Sequence, residues 1–239
     1  MKRTSLCILI VLIAGSAFSQ QFSFGVRAGL GSYSMDQLND FQKQRTQQTQ
    51  LPLKITESYP ITPFYRAEVA LNDLKYVDKI ALFYGFYSTG ARSTLSDYSG
   101  RADLDAILNA NQFGVTIQKT FLRKGPLSYA IYGDFLFMVS KLKTKDLIEI
   151  VYPEKITEQQ EYQFIANGYG IEPGMMISYN LDPLVFQVNL GFEVDNSKNF
   201  HLKGDNETML GFNNNAVAPQ WLGARLGVQV TYLFRKKKK

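Results

Sequence analysis

The residues from Trp221 to Phe234 alternate in character with a period of two. Leu222, Ala224, Leu226, Val228, Val230, Tyr232 and Phe234 form an apolar set. Trp221, Gly223, Arg225, Gly227, Gln229, Thr231 and Leu233 form the other, small and polar for most of its length. Successive side chains of a strand point to opposite faces, so this stretch is a strand between two unlike environments. Seven earlier segments behave the same way: Phe22 to Gly31, Pro63 to Leu71, Lys79 to Ser88, Gln112 to Phe121, Leu127 to Ser140, Phe164 to Tyr179 and Leu184 to Val194. Each is about as long as the roughly 9–11 residues a tilted strand needs to cross a bilayer.

The charges decide which face meets what. In the apolar phase only Lys119 is charged, four residues from a turn, where its stem can snorkel to the interface. The polar phase holds Arg27, Arg66, Lys79 and Arg225, with Glu68, Asp134, Glu172 and Glu193. A charge facing lipid at mid-depth costs about 2–4 kcal/mol, so the charged phase faces away from lipid. A soluble eight-stranded barrel would invert the arrangement, with apolar residues inside. Here the apolar set is large and continuous on all eight strands, and the charged set is rich in Gly, which suits a narrow interior. The expected fold is all-β: an eight-stranded antiparallel up-and-down transmembrane β-barrel over residues 20–234. With the first strand opposite the fifth and the second opposite the sixth, Arg27 faces Asp134 and Arg66 faces Glu172. Arg225 sits beside Arg27. This predicts a structural charge plug, basic on one wall and acidic on the other, with Glu68 and Glu193 among its acids.

The connections run long, short, long, short, long, short, long, which places short turns in the periplasm and four long loops outside. Ser34 and Gln37 have the spacing of a capping box, so Met35 to Gln47 reads as a short helix or else as a mobile loop. Asp97-Tyr98-Ser99-Gly100 is a turn signal at the centre of a hairpin that continues the third and fourth strands beyond the membrane. Lys141 to Gln163 and Asp195 to Ala216 read as loops. Two residues fit poorly. Pro173 cannot donate to a ladder and points to a bulge beside Gly174, and Gly133 occupies the lipid phase.

The start of the chain has the form of a cleaved secretion signal, residues 1–19. Lys2 and Arg3 precede the apolar run Leu6 to Ala14, and Ala17-Phe18-Ser19 fits the cleavage rule. The one cysteine, Cys7, falls inside it. The net charge of +5 misleads: without Lys2, Arg3 and Arg235 to Lys239, 19 basic residues stand against 21 acidic ones. A neutral body argues against nucleic-acid binding. No phosphate loop, metal-ligand cluster or Cys/His pair is present, so no cofactor and no catalytic role is expected. His201 with Ser197 is the local candidate for a lipid hydrolase or acyl transferase, on proximity alone. Arg235, Lys236, Lys237, Lys238 and Lys239 form a basic periplasmic tail suited to anionic headgroups.

Three pieces, the signal followed by Phe24-Gly25-Val26-Arg27-Ala28-Gly29-Leu30, the Ser96 to Gly100 hairpin and the Trp221 to Phe234 strand, resemble the outer membrane protein beta-barrel (PorT-like) family. The resemblance implies a small barrel of the OmpA and OmpX type and carries no catalytic residue. It implies outer-membrane lipids and the barrel-assembly machinery as partners. The leading expectation is a non-enzymatic structural or surface-interaction protein of a Gram-negative-type outer membrane, without a bound cofactor and working through its loops on an envelope or surface partner. The alternatives are an accessory component of an outer-membrane secretion or transport system, and a lipid-modifying enzyme.

Overall fold

A computed structural model describes residues 21–49, 51–98, 100–151, 156–212 and 215–234. The expected signal and the run Arg235 to Lys239 lie outside these residues. In chain order the elements are β1 (Gln21–Ser34), α1 (Asp36–Gln48), β2 (Lys54–Ser58), β3 (Thr62–Asn72), β4 (Lys79–Asp97), β5 (Gly100–Lys124), β6 (Leu127–Ile150), β7 (Ile156–Leu181) and β8 (Leu184–Ser197). Then come β9 (His201–Leu202), β10 (Asp205–Met209), β11 (Gly211–Phe212), β12 (Asn215–Ala216) and β13 (Leu222–Leu233).

Eight of these strands close on themselves. The order β1-β3-β4-β5-β6-β7-β8-β13 returns to β1, every neighbour antiparallel. The eight alternating segments of the sequence are these eight strands. Closure pairs the backbone all round the ring. The outward face is the apolar set: Leu226, Val188 and Ile117 are 55, 49 and 38% exposed, while the charged set is buried inside.

The strands run further than the apolar band. β4 and β5 continue as a hairpin to Asp97 and Gly100, as expected. Lys141 to Gln163, expected as a loop, is largely strand: β6 runs on to Ile150 and pairs there with Ile156 of β7. Lys141, Lys143 and Lys145 alternate with buried Leu142 and Thr144, so the period of two persists after the outer phase turns polar. The connection after β8 is likewise not bare loop but carries β9 to β12.

Past the band the inner phase turns apolar. Leu104, Leu108, Met138 and Leu142 are buried there, and the core includes Trp221, Phe200 and the inward face of α1, Leu38 and Phe41. That core explains why α1 forms, since a 13-residue helix gains most of its stability from a packed face. The expected capping box does not. Met35 is the N-cap, with no side-chain cap bond. Ser34 Oγ donates to Asp36 instead, and Gln37 Oε1 accepts from the Ala218 N–H at 2.8 Å.

Pro173 and Gly133 are one feature. They face each other in the β6–β7 ladder. Pairing of β7 with β8 skips Glu172 and Pro173 but resumes in the same register, from Ile171↔Val194 to Gly174↔Gly191, so there is no bulge. The proline faces outward, and its missing donor is accommodated by a two-residue gap in one ladder.

Glycines on the two faces should respond oppositely to a methyl group. At inward Gly114 a Cβ would lie 2.3 Å from Phe135 O and 2.5 Å from the Phe83 ring; at outward Gly133 it meets nothing within 4 Å. Gly114→Ala is expected to lose about 1–3 kcal/mol, and Gly133→Ala to stay within about 0.5 kcal/mol of the parent. Thermal unfolding of the refolded chain followed by circular dichroism checks both.

Candidate functional site

The inner charges meet at the centre of the ring. β1 brings Arg27, β3 brings Arg66 and Glu68, β4 brings Lys79, and β13 brings Arg225. Asp134, Glu172 and Glu193 come from β6, β7 and β8. All eight are buried. Arg225 Nη1 donates to Glu172 Oε2, and to Glu193 Oε2 at 2.8 Å. Arg27 Nη1 lies 3.9 Å from Glu172 Oε1. Arg66 donates to Asp134 and Thr116 and reaches Glu68 at 3.4 Å, and Lys79 donates to the other oxygen of Glu68.

Neutral side chains complete the network. Gln229 accepts from Arg27 Nε at 3.0 Å and donates to Glu68 Oε1 at 2.6 Å, joining the two halves. Gln112 donates to Glu193 at 2.5 Å, and Tyr132 donates to Glu172 at 2.7 Å. Rings cover the guanidiniums: the Phe83 ring centre lies 3.5 Å from Arg66, and that of Phe64 lies 4.2 Å from Arg225. Small residues make the room. A Cβ at Gly191 would fall 2.3 Å from Glu172 Oε1 and 2.5 Å from the Tyr132 hydroxyl.

The pairing differs from the expected one. Arg27 takes Glu172 and Arg66 takes Asp134, the reverse of the strand-opposite-strand assignment. The ladders explain it. Arg27 and Arg66 are directly paired across β1–β3, and Asp134 and Glu172 across β6–β7. Two adjacent guanidiniums repel, so each turns to the carboxylate on its own side of the lumen rather than crossing the other. Arg225 lies opposite Gly31, not Arg27, and meets Arg27 through the carboxylate they share. The division into walls is also incomplete, because Glu68 sits on the basic side between Arg66 and Lys79.

On either side of the charges the interior differs. At the turn end a polar cavity of about 510 Å³ opens, with Lys79, Gln118, Ser178, Gln187 and Thr231 in its lining. In the β3–β4 turn, partial burial raises the Asp78 carboxyl, but bonds from the Thr120 N–H and Lys119 outweigh it and hold the group below its ordinary range. Toward the loop end, Tyr33, Tyr87 and Trp221 pack edge-on and tilted at 5.0–6.1 Å, and α1 closes over them. The buried Gln42 of α1 anchors it by donating to Ser93 Oγ and Leu104 O.

His201 and Ser197 are not brought together. His201 pairs with Ile165 of β7, an outer-phase residue, and Ser197 pairs with Gly168, of the inner phase. Paired residues share a face, so the two side chains lie on opposite sides of the sheet. Lys119 points outward, with Asp78 at 3.4 Å. Among the described residues no group of three or more His, Cys, Asp or Glu is placed to hold a metal ion. Sequence reasoning did not single out Gln229, Gln112 or Tyr132; their one signal was a long polar side chain in the inner phase.

No family model matches the chain, and no curated protein matches it either. Among solved structures, a major outer membrane protein from Thermus thermophilus matches with a TM-score of 0.47 at 15% identity, over 89% of this chain and 99% of that one. A likeness this distant carries no function across.

The network should be costlier to break than to replace. Asp134→Ala, which leaves Arg66 with Glu68 alone among carboxylates, is expected to cost about 3–5 kcal/mol, whereas Arg66→Met with Asp134→Leu stays near the parent. Denaturant unfolding of Asp134→Ala checks the first, and that of the double variant and of both its singles, Arg66→Met and Asp134→Leu, closes the double-mutant cycle.

Proposed function

We propose that the chain is an integral outer-membrane protein whose eight-stranded ring spans the bilayer as a closed β-barrel. Its lumen is a structural plug, and its role is structural or one of surface interaction through the loop end. One observation carries this reading. Large apolar side chains stand exposed on all eight ring strands, while four cations and four anions of the opposite phase are buried against one another. In water that outer surface is unstable; in hydrocarbon it is solvated, and the closed ladder satisfies the backbone groups there. No helix of the described residues is long and apolar enough to cross a membrane, which leaves the strands to do so.

The three turns at 73–78, 125–126 and 182–183 then face the periplasm, and α1, β2 and β9 to β12 face the exterior. The PorT-like resemblance supports the same placement from the sequence side. Within the lumen, four cations and four anions are buried against one another, and the aromatic layer packs with the inward face of α1 toward the loop end, which supports a barrel that displays a surface rather than one that conducts.

Orientation is tested on intact cells with a membrane-impermeant thiol reagent. Tyr98→Cys, at the β4–β5 tip, labels in intact cells; Tyr76→Cys, in the β3–β4 turn, labels only after the outer membrane is opened. Mature protein that stays monodisperse in detergent-free buffer would overturn the reading. Within it, Val188→Lys on the outer face is expected to cost about 2–4 kcal/mol in vesicles, measured by denaturant titration. Planar bilayers should show no stable, large conductance.

A further inference from the structure

The outer face of the ring is not smooth where β6, β7 and β8 run side by side near the loop end. A groove of about 420 Å³ is cut into the apolar band there, with Phe135, Leu136, Tyr169, Ile171, Val194 and Asn196 in its lining. At its loop end Tyr169 packs on Phe137, ring centres 5.4 Å apart. One step toward mid-band from Phe135 and Ile171, Gly133 faces Pro173 across the β6–β7 ladder. A Cβ at 133 would meet nothing within 4 Å, so no side chain from that position of β6 closes the groove.

Beyond the groove the same face turns basic, and the ladders fix the heights. Tyr169 pairs with Asn196, Ile165 with Lys141 and Gln163 with Lys143. The Lys198 N–H bonds Asn167 O, and the Lys203 N–H bonds Gln163 O. Lys203 Nζ also donates to Gln163 Oε1 at 3.3 Å, which sets it on the outer face. Lys141, Lys198 and Lys203 are exposed. At about 3.3 Å per residue, Lys198 stands roughly 7 Å and Lys141 roughly 13 Å beyond the level of Tyr169. The outer-phase neighbours at these heights, Ile107, Asn109 and Asn111 of β5 and Gln163, Ile165 and Asn167 of β7, carry no charge. Glu161, the next outer-phase residue of β7, is held by Lys143 at 2.9 Å. Asp195, in the groove lining, accepts from the Trp221 N–H at 2.9 Å. Lys141, Lys198 and Lys203 therefore form a cationic patch with no carboxylate bound to it among the described residues.

We propose that this flank holds one anionic phosphate-bearing lipid of the loop-end leaflet, an acyl chain in the groove and the phosphate on Lys141, Lys198 and Lys203. The inference rests on the bilayer-spanning reading above. The groove alone would take the chain of any lipid. The lysines supply the selection, since ammonium groups give charge-assisted bonds to phosphate oxygens while their stems can lie along apolar surface. A tyrosine between a greasy groove and a basic patch marks the level of a membrane–water interface.

The test uses the full mature chain in native mass spectrometry from micelles with equimolar dioleoylphosphatidylglycerol and dioleoylphosphatidylcholine. Retention of phosphatidylglycerol several-fold over phosphatidylcholine is expected. Lys141→Gln with Lys198→Gln and Lys203→Gln falls to near parity, and a turn-end control, Lys75→Gln with Arg123→Gln and Lys124→Gln, keeps the preference. Val194→Trp, which fills the groove, lowers phosphatidylglycerol retention several-fold, and Val188→Trp, further down the same strand, does not. A large molar excess of inorganic phosphate leaves the bound lipid in place. Equal retention of both lipids by the parent, a preference kept by the triple-lysine variant or lost in the turn-end control, equal retention by Val194→Trp and parent, or displacement of lipid by phosphate would each overturn the site while leaving the barrel intact. A chain that is monodisperse without detergent and retains neither lipid overturns both, and is told apart by that solubility.

Discussion

β1 meets β13 along a continuous antiparallel ladder from Ser23↔Leu233 to Ser34↔Leu222, and this seam determines what the two faces of the sheet become. An open sheet with this alternation would expose one row of unpaired backbone groups on each edge and leave its charged face wet. Closed, it gathers the charged face into one buried interior and leaves the ring without an open edge. Close approach is what the seam demands of the sequence. At Gly29 a Cβ would fall 2.2 Å from Leu226 O and 2.6 Å from the Phe64 ring. The glycines of the inner phase are thus part of closure, not filler.

Inside, the narrow lumen forces charges together, and their stability depends on mutual satisfaction. Glu172 takes Arg225, Arg27 and Tyr132; Glu68 takes Lys79, Arg66 and Gln229. Because Gln229 bonds both Arg27 and Glu68, and Arg27 lies 3.9 Å from Glu172, the two clusters form a single electrostatic network spanning the lumen. A buried ion pair is weak evidence of stability by itself, since desolvation offsets most of the attraction. Its worth here is positional: it holds opposite walls in one register.

Much of this was legible in the sequence. The period of two located all eight ring strands, and the segregation of charge to one phase assigned inside and outside, because both follow from local chemistry. The pairing inside did not follow. Placing strands opposite one another ignores that Arg27 and Arg66 sit side by side in a ladder, a fact of register rather than of composition. Gln229 was hidden for a different reason, since a neutral amide gives no sign in advance of which charges it will bridge. The reach of β6 and β7 past the band was missed because Lys141, Lys143 and Lys145 look like loop residues until buried Leu142 and Thr144 are read between them. The Ser34–Gln37 spacing misled because both side chains had nearer partners than the helix end.

Strand length is unequal around the ring. β5, β6 and β7 have 25, 24 and 26 residues, whereas β1, β8 and β13 have 14, 14 and 12. At about 3.3 Å per residue, the taller flank overtops the lower by roughly 30–40 Å of strand. The rim is therefore a parapet on one side and a threshold on the other, and α1 shelters in the lee of the parapet, fastened to β4 and β5. Whatever arrives at this end meets bare ladder on one flank and, on the other, α1 and the short strands β9 to β12 that follow the low strands, so the two flanks offer it unlike surfaces.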